Sequence, residues 1–218
     1  MAQRKKEDKR EAILAAAFSL FTEKGYSETT IPAIAKMAGI SRANVYVYFK
    51  SKIEILFTLY TPWIEKSLDA LRRSLKRTAD PRARMEKLLT TFWIGIPQEN
   101  KGFARNIIEA VSSSYDQEDY DPSLRDYIIQ TAADCVNRCT DFSEEKSRQI
   151  AIIIVMACDG FATNVSRQHG LECSQPLVEL FAGLLCAPER SAGQPVASDR
   201  PAAVPDGRSA RPAQIEEA

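Results

Sequence analysis

Residues Thr30–Lys52 read TIPAIAKMAGISRANVYVYFKSK, and their spacing predicts two short helices joined by a tight turn. Thr30 stands where a helix cap is wanted, and Pro32 follows in the first turn, where a missing N–H costs little. Gly39 ends this helix near Ala38, Ser41 caps again, and Arg42–Phe49 makes the second helix. Two helices that cross closely want a small residue at the contact and a residue tolerant of positive φ in the turn. Ala35 and Gly39 stand four apart in those places, the pattern of a helix-turn-helix. Ile31, Ile34, Ile40 and Val45 can pin the pair against a preceding helix through Leu20 and Phe21. The second helix then offers Ser41, Arg42, Ala43, Asn44, Tyr46, Val47 and Tyr48, with no acidic side chain. That surface suits phosphates and base edges, which a carboxylate would repel.

Charge supports the same reading. The chain of 218 residues has 29 basic and 29 acidic side chains, yet residues 1–52 carry a net +5, residues 53–186 a net −4 and residues 187–218 a net −1. A basic head on an acidic body points to a polyanionic partner, nucleic acid first. The longest apolar run, Ile150–Cys158, is too short for a membrane span. No signal-peptide core follows the charged start, and five irregularly spaced Cys argue against a disulfide framework, so a reduced, cytoplasmic protein is expected.

Beyond the head, apolar residues recur at three- and four-residue spacing and never in clean alternation, so the fold class is all-α. Helices are expected at 9–24, 30–38, 42–49, 52–77, 81–96, 100–113, 122–140, 143–168 and 174–186, with a kink near Thr58–Thr61 caused by Pro62. The expected organisation is a basic arm at 1–8, a helix-turn-helix domain at 9–55 and a helical ligand-binding and dimerisation domain at 56–186. Residues 187–218, with five Pro and no aromatic residue, are expected to be a disordered tail.

From about Lys9 to Leu56 the chain strongly resembles the DNA-binding head of the TetR family of bacterial transcriptional regulators. The resemblance is carried by AILAAAFSLFTEKGYSETTI, the IAKMAGIS turn, the Tyr46-Val47-Tyr48-Phe49 helix end and the FKSKIEIL exit. Two positions depart from the family pattern: Ala43, where Gly or a small hydroxyl residue is common, and Val47, where His is frequent. The resemblance implies a helical body that dimerises and binds a small-molecule effector, with repression of a palindromic operator as the mode of action. Lys52 matches the family's phosphate-contacting Lys. Tyr46 and Tyr48 are expected to reach phosphate or sugar, one ring being partly core. Thr30 is a cap that can also face phosphate. Arg42 and Asn44 are the base-reading candidates, for guanine and adenine, with phosphate as the alternative target of each. Arg4–Arg10 either form a disordered solubilising arm or track the DNA backbone or a minor groove. The alternative function is a DNA-binding regulator without small-molecule control.

In the body, the segments 143–168 and 174–186 are the expected homodimer helices, with stripes Ile150, Ile153, Ile154, Ala157 and Leu177, Leu180, Phe181, Leu184, Leu185. Trp63, Trp93, Phe103, Tyr127, Met156 and Asp159 are the ligand-binding candidates. Asp159 follows nine apolar residues, so burial is expected, with Arg105, Arg138 or a cationic ligand as its partner. An amine held by Asp159 and Trp rings and an aromatic or acyl ligand are both open. The pairs Cys135/Cys139 and His169/Cys173 lack the company of a catalytic or metal constellation. No enzyme, metal or cofactor is expected.

Overall fold

Ten α-helices form among the described residues of the computed structural model, which are 2–113, 122–164 and 173–187; no strand forms among them. The head comprises α1 (Ala2–Lys24), α2 (Ile31–Met37) and α3 (Arg42–Tyr48). The body comprises α4 (Lys52–Lys76), α5 (Pro81–Thr90), α6 (Ile96–Gln98), α7 (Arg105–Ser113), α8 (Ser123–Asn137), α9 (Glu144–Asn164) and α10 (Gln175–Leu185). Residues 1–187 make one compact unit. From residue 188 the expected tail lies outside the described residues, as do residues 114–121 and the last four positions, 165–168, of the helix expected over 143–168.

Local chemistry accounts for the boundaries in the head. Thr30 Oγ1 accepts the Ala33 N–H at 3.3 Å, Ser41 Oγ that of Asn44 at 3.3 Å and Ser51 Oγ that of Glu54 at 3.3 Å. Each such cap is worth about 1 kcal/mol. α2 stops in a Schellman turn: Ile40 N–H reaches the Ala35 carbonyl at 3.0 Å and Gly39 N–H that of Lys36 at 3.3 Å, with Gly39 at φ 69°. Ile13, Ala17, Leu20, Phe21, Ile34, Ala35 and Val45 are buried together with Ile55 and Leu56 of α4. Burying one Leu, Ile or Phe contributes about 1.5–3 kcal/mol, so this cluster outweighs the caps and holds α2 and α3 onto α1.

Three expectations are corrected. The helix expected over 9–24 begins at Ala2, because the Gln, Arg, Lys and Glu residues ahead of it are good helix formers. The helix expected over 100–113 starts at Arg105, because Asn100, Lys101 and Gly102 all take positive φ (49°, 58° and 79°). The helix expected over 81–96 passes into a π turn over Thr91–Gly95, where Ile96 N–H bonds the Thr91 carbonyl, and then into α6. Pro97 has no N–H to give, and widening the preceding turn is one way to accommodate it. Pro62, in contrast, lies inside an unbroken α4.

Gly25 and Gly39 give a paired test. Both have positive φ, 86° and 69°, but a Cβ at Gly39 would meet nothing within 4 Å, whereas at Gly25 it would lie 3.2 Å from Arg105 Nη2 and 3.3 Å from Glu109 Oε2. Gly39→Ala should cost about 1–2 kcal/mol, the left-handed backbone alone. Gly25→Ala should cost more, because it also pushes on the Arg105–Glu109 pair. Denaturant unfolding of the two variants checks the order.

Candidate nucleic-acid interface and ligand cavity

α3 turns Val45 fully inward and leaves Arg42, Ala43, Tyr46 and Val47 exposed, with exposed Ser41 at its cap. Asn44 is half-buried at the edge of this face. The Arg42 guanidinium sits 5.7 Å from the centre of the Tyr46 ring, which steadies both side chains on the outer surface. Tyr48 packs partly against the core, so it is the ring expected to be shared with the interior. Val47 is 67% exposed, an apolar side chain with no core to join. Arg10 of α1 lies over the Phe49 ring at 5.3 Å, bringing the basic end of α1 beside the end of α3.

Lys52, expected to contact phosphate, is engaged within the head in the absence of DNA. Its ammonium donates to the carbonyls of Tyr26 and Thr29 at 2.7 and 2.9 Å and lies 3.9 Å from the centre of the Tyr26 ring. Burial lowers its pKa from the ordinary lysine value, against a smaller opposing pull from Glu109. The side chain clamps the α1–α2 turn. The half-buried ammonium adds a charge-assisted hydrogen bond to each carbonyl, that of Tyr26 also accepting the Thr29 N–H at 3.2 Å. Thr30 likewise commits its hydroxyl oxygen to the α2 cap.

The same turn is gripped from the body. Glu109 of α7 accepts from both the Ser27 N–H, at 3.1 Å, and the Ser27 hydroxyl, at 3.3 Å, and its other oxygen meets Arg105 Nε at 2.9 Å. Nothing in the local sequence marks Ser27 and Glu109 as partners, since they stand 82 residues apart.

The other face of α7 borders a cavity of about 50 Å³ inside the body. Tyr60 of α4, Phe92 of the π turn, Ile107 of α7, Arg125 of α8 and Asp159 of α9 are among its walls. Arg125 Nη2 bonds Asp159 Oδ2 at 2.7 Å. Burial raises the Asp159 carboxyl above the ordinary carboxylate value, and the Arg125 bond and charge pull it back. Burial also pushes the Tyr60 phenol and the Cys158 thiol far up, so both stay neutral.

Of the six expected ligand residues, Asp159 alone lines this cavity. Its partner is Arg125, whereas Arg105 pairs with Glu109. Trp63 and Phe103 pack against each other at 5.5 Å and against Tyr60, filling the space behind the cavity wall. Trp93 donates Nε1–H to the Ile154 carbonyl at 3.1 Å and meets Phe161 and Phe181, tying α9 and α10 together. Tyr127 takes an Arg72 hydrogen bond at 3.2 Å elsewhere on α8. Met156 is 61% exposed. Val155, Cys158 and Asp159 share the cavity-facing side of α9, and one step along a helix turns a side chain by about 100°. Ile154, expected on the dimer stripe, is buried for the same reason. Tyr60 and Arg125 were the residues missed; a buried acid calls for a base somewhere, but spacing does not say which.

Cys139 donates its thiol to the Cys135 carbonyl at 3.0 Å, and burial raises the two thiols to about 12 and about 11. They are protonated packing residues. Among the described residues no group of His, Cys, Asp and Glu could hold a metal ion, and no helix is long and apolar enough to cross a membrane.

The sequence profile described as bacterial regulatory proteins, tetR family, matches residues 13–59, which span the end of α1, the whole helix-turn-helix and the start of α4. Over these residues the chain matches the TetR family. The chain is 23% identical to the HTH-type transcriptional activator FasR of Mycolicibacterium smegmatis over 196 residues, 90% of the chain and 76% of FasR. Its fold is shared by a Saccharomonospora viridis transcriptional regulator solved with choline, at TM-score 0.58 and 21% identity, over 80% of this chain and 93% of that one.

 Bacillus subtilis FadR, solved with stearoyl-CoA, matches at TM-score 0.54 and 17% identity, over 81% of this chain and 97% of that one. TetR-family proteins are transcription regulators that bind DNA, usually as dimers.

Proposed function

We propose that the chain is a ligand-responsive repressor in which a head, residues 9–55, reads a palindromic operator and a body, residues 56–186, dimerises it and binds a small effector. The observation that carries the DNA reading is the acid-free outer face of α3, held rigid by Val45 beneath it and by the Schellman turn before it. Arg42 and Asn44 are its base readers, for guanine and adenine, and Val47 is placed to meet a thymine methyl. Ser41, Ala43 and Tyr46 fill the rest of the face, with Tyr48 at its edge, and the cations of α1 flank it. Thr30 and Lys52 act by shaping the head.

Ligand control is supported by the cavity and by its neighbours. α4 and α7 both wall it, and both reach the α1–α2 turn, α4 through Lys52 and α7 through Glu109. An effector that shifts either helix moves the head, and such coupling is reciprocal, about 1–3 kcal/mol. The choline and stearoyl-CoA structures support small-molecule binding by this fold, without choosing the ligand. FasR is described as an activator, so a reporter fusion with and without the regulator tests the sign.

Fluorescence anisotropy against the chain's own upstream region tests the DNA reading. Affinity should fall with salt, with a logarithmic slope of about −0.9 for each phosphate neutralised. Asn44→Ala should flatten the preference between operator and mismatched sites, by about 1–3 kcal/mol at one base pair. Salt-independent binding, or an unchanged preference, would overturn the assignment.

A further inference from the structure

We propose that the cavity's ligand is a small organic monocation, an alkylamine or quaternary ammonium, which takes the place of the Arg125 guanidinium on Asp159. This rests on the cavity being the effector site. At about 50 Å³ the free space is far below the roughly 300–1,000 Å³ of ordinary ligand pockets, so an occupant must move something. Ile64, Phe92, Ile96 and Val155 are packed apolar wall. The movable part is Arg125, a long side chain 43% exposed in the first turn of α8.

The two halves of the ion pair are not equivalent. Asp159 has one methylene, springs from the interior of α9 and is 31% exposed. It cannot follow Arg125 outward. If Arg125 swings to solvent, a carboxylate is left in an apolar wall, and an uncompensated buried charge is strongly unfavourable. A cation entering with its apolar part toward Phe92 and Ile64 fills the vacated volume and restores the charge balance in the same step. An anion would have to bind Arg125 beside the fixed Asp159 carboxylate. Among the described residues Asp159 is the single acidic residue of this lining, since Tyr60 and Cys158 remain neutral. The Tyr60 and Phe92 rings in the same wall add a surface that favours cations.

Isothermal titration of the full chain with hexyltrimethylammonium, hexanoate and hexanol tests this. The ammonium should bind at least tenfold tighter than the other two. Asp159→Asn should remove that advantage, and Arg125→Gln, which takes away the internal competitor, should bind the ammonium at least as tightly as the native chain. Circular dichroism melts establish that each variant is folded; Arg125→Gln alone decides if Asp159→Asn is not. Preference for hexanoate or hexanol, or loss of ammonium binding in Arg125→Gln, overturns the proposal. Operator anisotropy in the same titrations separates the two readings. Ammonium binding that leaves operator affinity unchanged sustains the cation site and sinks ligand control. Operator release by hexanoate alone does the reverse.

Discussion

Leu184→Asp is expected to convert the regulator to a monomer and abolish tight operator binding. Leu184, Leu180 and Phe181 of α10 are 64%, 58% and 37% exposed, and Ile153 and Met156 of α9 are 59% and 61% exposed. Val178 and Ala182 point the opposite way, into the body. Helices carrying apolar residues on both sides are explained by a second copy that covers the outer one. In a two-fold interface one substitution acts twice. At about 2 kcal/mol for each protomer, a modest hot-spot value, the total of about 4 kcal/mol is roughly a thousandfold in the dimerisation constant. Operator affinity should fall with it, because a monomer engages one half-site. Sedimentation with parallel anisotropy checks both; a Leu184→Asp dimer that still grips the operator would place the interface elsewhere.

Lys52→Met is the second large effect, and it separates two roles for that lysine. A clamp loses two charge-assisted hydrogen bonds, each worth about 1.5–3 kcal/mol, and a cation–ring contact. The expected loss of stability is about 3 kcal/mol, or roughly 6–12 °C in Tm for a chain of this size. Operator affinity should fall on every sequence alike, because the α1–α2 turn is loosened. The salt slope should not change. A phosphate contact would instead lower that slope by about 0.9 and leave Tm almost unmoved.

The head was readable in advance because its determinants are local. A hydroxyl at Thr30, Ser41 and Ser51 caps the helix that begins beside it, and Gly39 takes a backbone angle that other residues resist. These interactions span three to five residues, so the order of types along the chain carries them. The helical body was also legible, from apolar spacing. Its cavity was not. Which of Val155 and Met156 faces inward depends on the azimuth of α9, about 100° for each residue. That azimuth is set by packing against distant helices. The partners of Asp159, Lys52 and Glu109 stand 34, 26 and 82 residues away. Residue types show that a buried charge needs a counterpart; only the packed chain, by bringing remote backbone together, selects which group supplies it.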